Sequence, residues 1–172
     1  MAEQRPRAEH QAPEAEASLD AKAQALQTLL GEVLAPFDVT HGAVIDIPEV
    51  VVQPDQIPGI CLLAKEDPRL DFKMLLCLAG VDYKEHLQVV YLLLSLEQEQ
   101  KLFIKANLSS DEPRVPSVTG IWRAADWYER EAHDLFGIVF EGHPGLEPLI
   151  LYEGFEGYPA HKDFPFHDYQ EF

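Results

Sequence analysis

The sequence predicts an α+β chain: a small mixed or antiparallel sheet with packed helices, followed by a charged helix and an extended C-terminal arm. Three observations predict it. Apolar positions at helical spacing over Leu19–Leu34 precede a run of short, closely linked strand segments. The stretch from Trp122 to Gly137 concentrates ionisable and aromatic side chains. Beyond it glycine and proline recur too often for long regular elements, yet large apolar side chains persist.

Residues 1–18 are rich in Glu, Ala, Gln and Pro and hold almost no large apolar side chain, so they are expected to be a disordered acidic tail. Residues 19–112 then form the α+β part. Ser18 or Asp20 caps a helix whose positions Leu19, Ala23, Leu26, Leu29, Leu30, Val33 and Leu34 repeat about every 3.6 residues, and Pro36 ends it. Val39–Ile47 and Val50–Val52 predict two strands meeting as a hairpin. Pro54–Lys65 predicts a second helix, with Pro58 in its first turn and Ile57, Ile60, Cys61 and Ala64 on one face. Phe72–Ala79, Leu87–Leu96 and Leu102–Leu108 predict three strands, joined by turns at Gly80–His86 and Glu97–Lys101.

Residues 113–137 are assigned to the charged helix, with Ser117 as its cap and Gly137 as a left-handed stop, a rod of about 28 Å. Val118, Trp122, Ala125, Ala132 and Phe136 share one stripe, and Glu129 falls within it. A carboxylate on an apolar face must find a cation or a donor. Asp126, Arg130 and Asp134 follow at intervals of four, so Arg130 can bridge both acids. Two readings stand: a solvated face with i,i+4 pairs, or a charged helix buried against another subunit. Residues 138–172 form an extended arm whose many aromatic side chains require a surface, its own domain's or a partner's.

Composition excludes several function classes. Lys and Arg number 13 against 30 Asp and Glu, a net charge of −17, which rules against binding nucleic acid or an anionic membrane directly. The most apolar stretch, Leu87–Leu96, falls short of the about 20 residues a spanning helix needs. The polar N-terminus lacks the apolar core of a secretory signal, so a cytosolic-side protein is expected. Cys61 and Cys77 are the only cysteines, too few for a zinc ribbon or an iron–sulfur cluster, and both read as buried thiols. Glu129 and His133 lack the pattern of a di-iron site, and no zinc-binding helix motif is present. His10 lies in the tail and His41 and His86 in turns; His143, His161 and His167 lie in the arm with surface roles. No serine has a nucleophile-elbow context, no glycine-rich phosphate loop occurs, and Glu129 and Glu131 point to different helix faces. No self-contained active site emerges.

The same region carries a family resemblance. Glu129-Arg130-Glu131-x-x-Asp134-Leu135-Phe136-Gly137-Ile138, Phe140-Glu141-Gly142-His143-Pro144, Gly154-Phe155-Glu156-Gly157 and Lys162-Asp163-Phe164-Pro165 together resemble the signature of one family of NADH-quinone oxidoreductase subunits, the 30 kDa subunit family of respiratory complex I. Arg114–Trp122 resembles the usual lead-in to that helix. Two departures remove positive charge: Glu147-Pro148 replaces the family's basic pair after His-Pro, and Ala160-His161 replaces Leu-Arg before the final Lys-Asp.

The resemblance implies a cofactor-free structural subunit of the complex's hydrophilic arm. Such a subunit docks on the quinone-site (49 kDa-like) subunit and its small iron–sulfur neighbour, while FMN, iron–sulfur clusters, NADH and quinone belong to the complex. It implies interface or structural roles for Glu129, Arg130, Glu131, Asp134, His143, Lys162 and Asp163. It further implies a peripheral position on the cytoplasmic face of a bacterial inner membrane and a part in proton-pumping electron transfer from NADH to quinone. Related subunits of ferredoxin- or F420-linked complexes and membrane-bound hydrogenases share the pattern. A stand-alone acidic adaptor is the distant alternative.

Overall fold

The structure, a computed structural model, describes residues 19–165; the expected acidic tail, His10 and His167 lie outside the described residues. Helix α1 spans Ala21–Val33, and Asp20 caps it by accepting the Ala23 N–H at 2.7 Å. Strands β1 (Val39–Val44) and β2 (Ile47–Val52) form the expected antiparallel hairpin. A single 3₁₀ turn, Pro54–Gln56, leads into α2 (Ile57–Glu66), whose buried face is Ile57, Ile60, Cys61 and Ala64, as the periodicity predicts. Three long strands follow: β3 (Met74–Asp82), β4 (His86–Ser95) and β5 (Gln100–Ser109).

The five strands form one mixed sheet in the order β1-β2-β5-β4-β3, parallel only between β2 and β5. A second, two-stranded parallel sheet pairs β6 (Arg114–Pro116) with β7 (Val139–Glu141). The sequence does not announce these two strands, because three-residue segments carry too little alternation to recognise. The turn expected at Gly80–His86 is shorter, since β3 runs to Asp82 and His86 opens β4; His41 likewise sits in β1.

The core lies on one face of the large sheet. Val50, Val52, Leu87, Val89, Tyr91, Leu93, Leu102 and Ile104 alternate inward and join the buried faces of the helices in one cluster. Cys61 belongs to it, and burial pushes its thiol up. Cys77, expected to be buried, is exposed. A bulge between Leu75 and Cys77 sets its parity away from the core, and β3 is an edge strand.

Helix α3 spans Ala125–Phe136, so it starts eight residues later than Ser117 and measures about 18 Å rather than 28 Å. Val118 and Trp122 are buried as their stripe requires, but in a turn segment before the helix. The physical reason is competition for that segment. The Val118 N–H and the Ser117 hydroxyl both donate to Glu129, and the Lys65 ammonium donates to the Ile121 carbonyl. These contacts hold residues 117–121 out of a continuous helix. Gly137 terminates α3 as expected, at φ 70° with its N–H on the His133 carbonyl.

Candidate functional site at the helix–arm junction

Each polar side chain of α3 has a distinct destination. Glu129 is fully buried at the apolar stripe, and its carboxylate accepts from Val118 N–H and Ser117 Oγ–H, both at 2.7 Å. Its partners are therefore donors, not a cation. Burial pushes its carboxyl up, and the two hydrogen bonds offset part of that rise.

The expected Arg130 bridge between Asp126 and Asp134 does not form. Arg130 donates from Nε to the Glu147 carbonyl and from a terminal nitrogen to the Pro148 carbonyl, each at 3.1 Å. Its guanidinium also sits 5.8 Å from the Trp127 ring centroid. The guanidinium carries several N–H donors, and two of them serve successive backbone carbonyls of the arm. Asp134 Oδ2 accepts three consecutive backbone N–H groups, from Leu149 at 3.2 Å and from Ile150 and Leu151 at 2.8 Å. Burial raises its carboxyl, but these three donors outweigh it and hold Asp134 below the usual carboxylate range. Arg130 and Asp134 thus grip opposite polarities of one arm segment, 147–151.

His143 lies almost wholly inside, with its side chain 1% exposed rather than at the surface. Its Nδ1 accepts the Gly145 N–H, which leaves the proton on Nε2 to donate to the Asp126 backbone carbonyl at 3.3 Å, with the Asp126 Oδ1 3.2 Å away. The arm also closes the C-terminus of α3. Ala160 N–H donates to the Leu135 carbonyl, and His161 Nε2 donates to the Phe136 carbonyl at 2.9 Å. Here the departure Ala160-His161 has a structural role of its own.

Asp82, at the end of β3, is a site residue that the sequence motifs do not single out. Its Oδ2 accepts the Lys162 N–H at 2.8 Å and its Oδ1 the Lys84 N–H at 2.5 Å. The Lys162 backbone donor, above all, holds Asp82 low against the effect of burial. The signal available in the sequence is an Asp opening a tight turn, a residue type that binds its own backbone two positions on. Lys162 places its ammonium 5.8 Å from the Tyr83 ring centroid, and Asp163 pairs loosely with Lys84 at 3.9 Å. Glu131 lines a cavity of about 160 Å³ with Cys77, Gly80 and Phe136, between α3 and β3.

The arm is divided in its environment. Its root, Ile138 and Phe140, is buried in the chain's own core, whereas Ile150, Tyr152 and Tyr158 are 56%, 72% and 45% exposed. Of the two surfaces open to the arm, its own domain supplies the one for the root, where β7 pairs with β6, and among the described residues the outer stretch stays uncovered. Along that stretch the Phe155 ring meets the edge of Tyr152 at 5.4 Å and stacks on Phe164 at 6.0 Å. Among the described residues no group of three or more His, Cys, Asp or Glu is placed to hold a metal, and no helix is long and apolar enough to cross a membrane.

The family described as respiratory-chain NADH dehydrogenase, 30 Kd subunit, matches residues 50–170. An NADH-quinone oxidoreductase subunit of Rhizobium meliloti (strain 1021) is 46% identical over 133 residues, which cover 76% of this chain and 72% of that protein. In structure the chain is similar to a membrane-bound sulfane sulfur reductase, an archaeal respiratory membrane complex, with a TM-score of 0.70, 30% identity and 85% and 86% coverage of the two chains. It is also similar to a trypsin-resistant fragment of Nqo5, with a TM-score of 0.59, 31% identity, and coverage of 70% of this chain and 98% of the fragment. With the signature residues gathered at one helix–arm junction and the match running from β2 through the arm, the chain belongs to the 30 kDa subunit family of the respiratory-chain NADH dehydrogenases.

Proposed function

We propose that this chain is a non-catalytic structural subunit of a proton-pumping NADH:quinone oxidoreductase. It docks through its arm on the quinone-site (49 kDa-like) subunit and the small iron–sulfur subunit beside it, at the cytoplasmic face of a bacterial inner membrane. FMN, iron–sulfur clusters, NADH and quinone are held elsewhere in the complex. One observation supports this reading above the others. Arg130 and Asp134 of the α3 signature fix the backbone of the arm at 147–151, so the arm presents Ile150, Tyr152 and Tyr158 outward on a defined frame. A rigid arm with exposed aromatic side chains is a docking element, because such side chains carry a large share of interface energy.

Purification of the tagged chain from its native membrane tests the reading. The expected result is recovery with NADH- and quinone-site subunits, and recovery of the chain alone rejects it. Tyr152→Asp, at an exposed position, should leave the melting temperature of the isolated chain nearly unchanged, with a cost within about 0.5 kcal/mol, while recovery with the complex falls. The likeness to the archaeal sulfane sulfur reductase supports a second reading, in which the same scaffold serves a relative with a different electron donor. The identity of the co-purified electron-input subunits separates the two.

A further inference from the structure

Among the described residues, helices pack on one face of the large sheet only, and on the other face Gln88 alone is buried, against Asn107. All of its core side chains point to the helix side, and Val51, Val90, Leu92, Leu94 and Phe103 point the other way, half-buried and outside the core cluster. A sheet face turned to water alternates with polar residues, whereas a strand covered on both faces reads as a continuous apolar run. Strand β4 is of the second kind from Val89 to Leu94, yet the described residues cover it on one side only. From Met74 on β3 to Val51 on β2 this face spans four strands, about 20 Å at the usual strand spacing, with Met74 41% exposed at its margin.

We propose that this open sheet face is a second docking surface, separate from the arm, and that it receives an apolar face of a neighbouring subunit bearing a carboxylate opposite Lys101. The proposal rests on the reading of the chain as a subunit of a larger complex. Charge selects the occupant. Lys101 stands directly across from Leu94 on this face and has no acidic partner among the described residues, whereas Lys105 is paired with Glu49 at 2.5 Å. A second copy of the chain would bring another −17 charges against the first.

Cys77 is exposed at the β3 margin of this face, aligned with Leu92, and also lines the cavity against α3, so its labelling is read together with Leu92→Glu at the centre of the face; buried Cys61 serves as the internal control. Maleimide labelling, read on the Cys77 peptide by mass spectrometry, should be ready in the isolated chain and at least about tenfold slower in the purified complex. Leu92→Glu should leave the isolated chain folded but lower its recovery in the complex about tenfold or more. Leu62→Glu, at an exposed position on α2, should not. Equal labelling of Cys77 in the free and assembled chain overturns the proposal, as does undiminished assembly of Leu92→Glu. Protection of Cys77 in a dimeric isolated chain assigns the face to a second copy and overturns it too. Absence of the wild-type chain from any NADH-quinone oxidoreductase overturns the functional reading and this one with it, an outcome distinct from loss of protection alone.

Discussion

Glu129 is fully buried on the packed stripe of α3, and its position explains why one residue can be read from sequence while its neighbour cannot. Helical spacing places Glu129 on the apolar stripe, and the physics of a buried carboxylate then demands donors. Which donors is a tertiary matter, settled by the turn at Ser117 and Val118. Arg130 has the reverse history: i,i+4 spacing allows two acid partners, but the carbonyls of Glu147 and Pro148 are closer competitors that only the folded arm supplies. The opposite shifts of these acids give a testable sign. Asp82 and Asp134 have lowered values, so their contribution is present above the unfolded Asp value, about 3.9, and is lost as pH falls through the lowered one. Glu129 has a raised value, so its ionisation cost is absent in acid and grows as pH rises through that value. Glu129→Gln should therefore be neutral or mildly stabilising at pH 7, and that advantage should fade toward about pH 4. Glu129→Ala, which orphans the Val118 N–H and leaves a void, should cost about 2–4 kcal/mol at either pH. Urea denaturation midpoints at the two pH values decide it.

At the scale of elements, what the chain declares locally is what its sequence makes legible. The α1 cap, the buried face of α2, the β1–β2 hairpin and the Gly137 stop all follow from side chains within a few residues of each other. The start of α3 and the β6–β7 pair do not, because both depend on partners more than ten residues away. Gly137 joins the two kinds of information. Its left-handed φ is a local requirement, but a Cβ there would lie 2.6 Å from the Tyr158 ring, so the arm also needs the glycine. Gly137→Ala should cost about 1–2 kcal/mol from the backbone alone. It should also displace Tyr158, raising proteolytic sensitivity in the arm before the sheet melts. A matched drop in melting temperature with no change in arm cleavage would sever Tyr158 from the effect.

For the whole molecule, the fold class is legible because the strand and helix periods switch cleanly along the chain, but they leave the sheet mixed or antiparallel, and only the folded β2–β5 pairing makes it mixed. The boundary between body and arm is not legible, because composition marks where long elements stop and says nothing of where burial stops. Glycine and proline begin to dominate after Gly137, yet Ile138 and Phe140 are core residues and Leu146 packs against the core. Placing the cut by burial makes a definite prediction. A chain ending at Gly137 loses β7 and two fully packed side chains, each comparable to a large-to-small core substitution of about 2–5 kcal/mol, and should not fold cooperatively. A chain ending at Leu146 keeps both side chains and the His143–Asp126 contact, and sheds only the segment held by Arg130, Asp134 and Asp82. It should melt cooperatively within several degrees of the full chain yet fail to enter the complex. Circular dichroism melts of the two truncations, set beside native-gel assembly, separate burial from composition as the true edge of the body; equal stability of both would return that edge to Gly137.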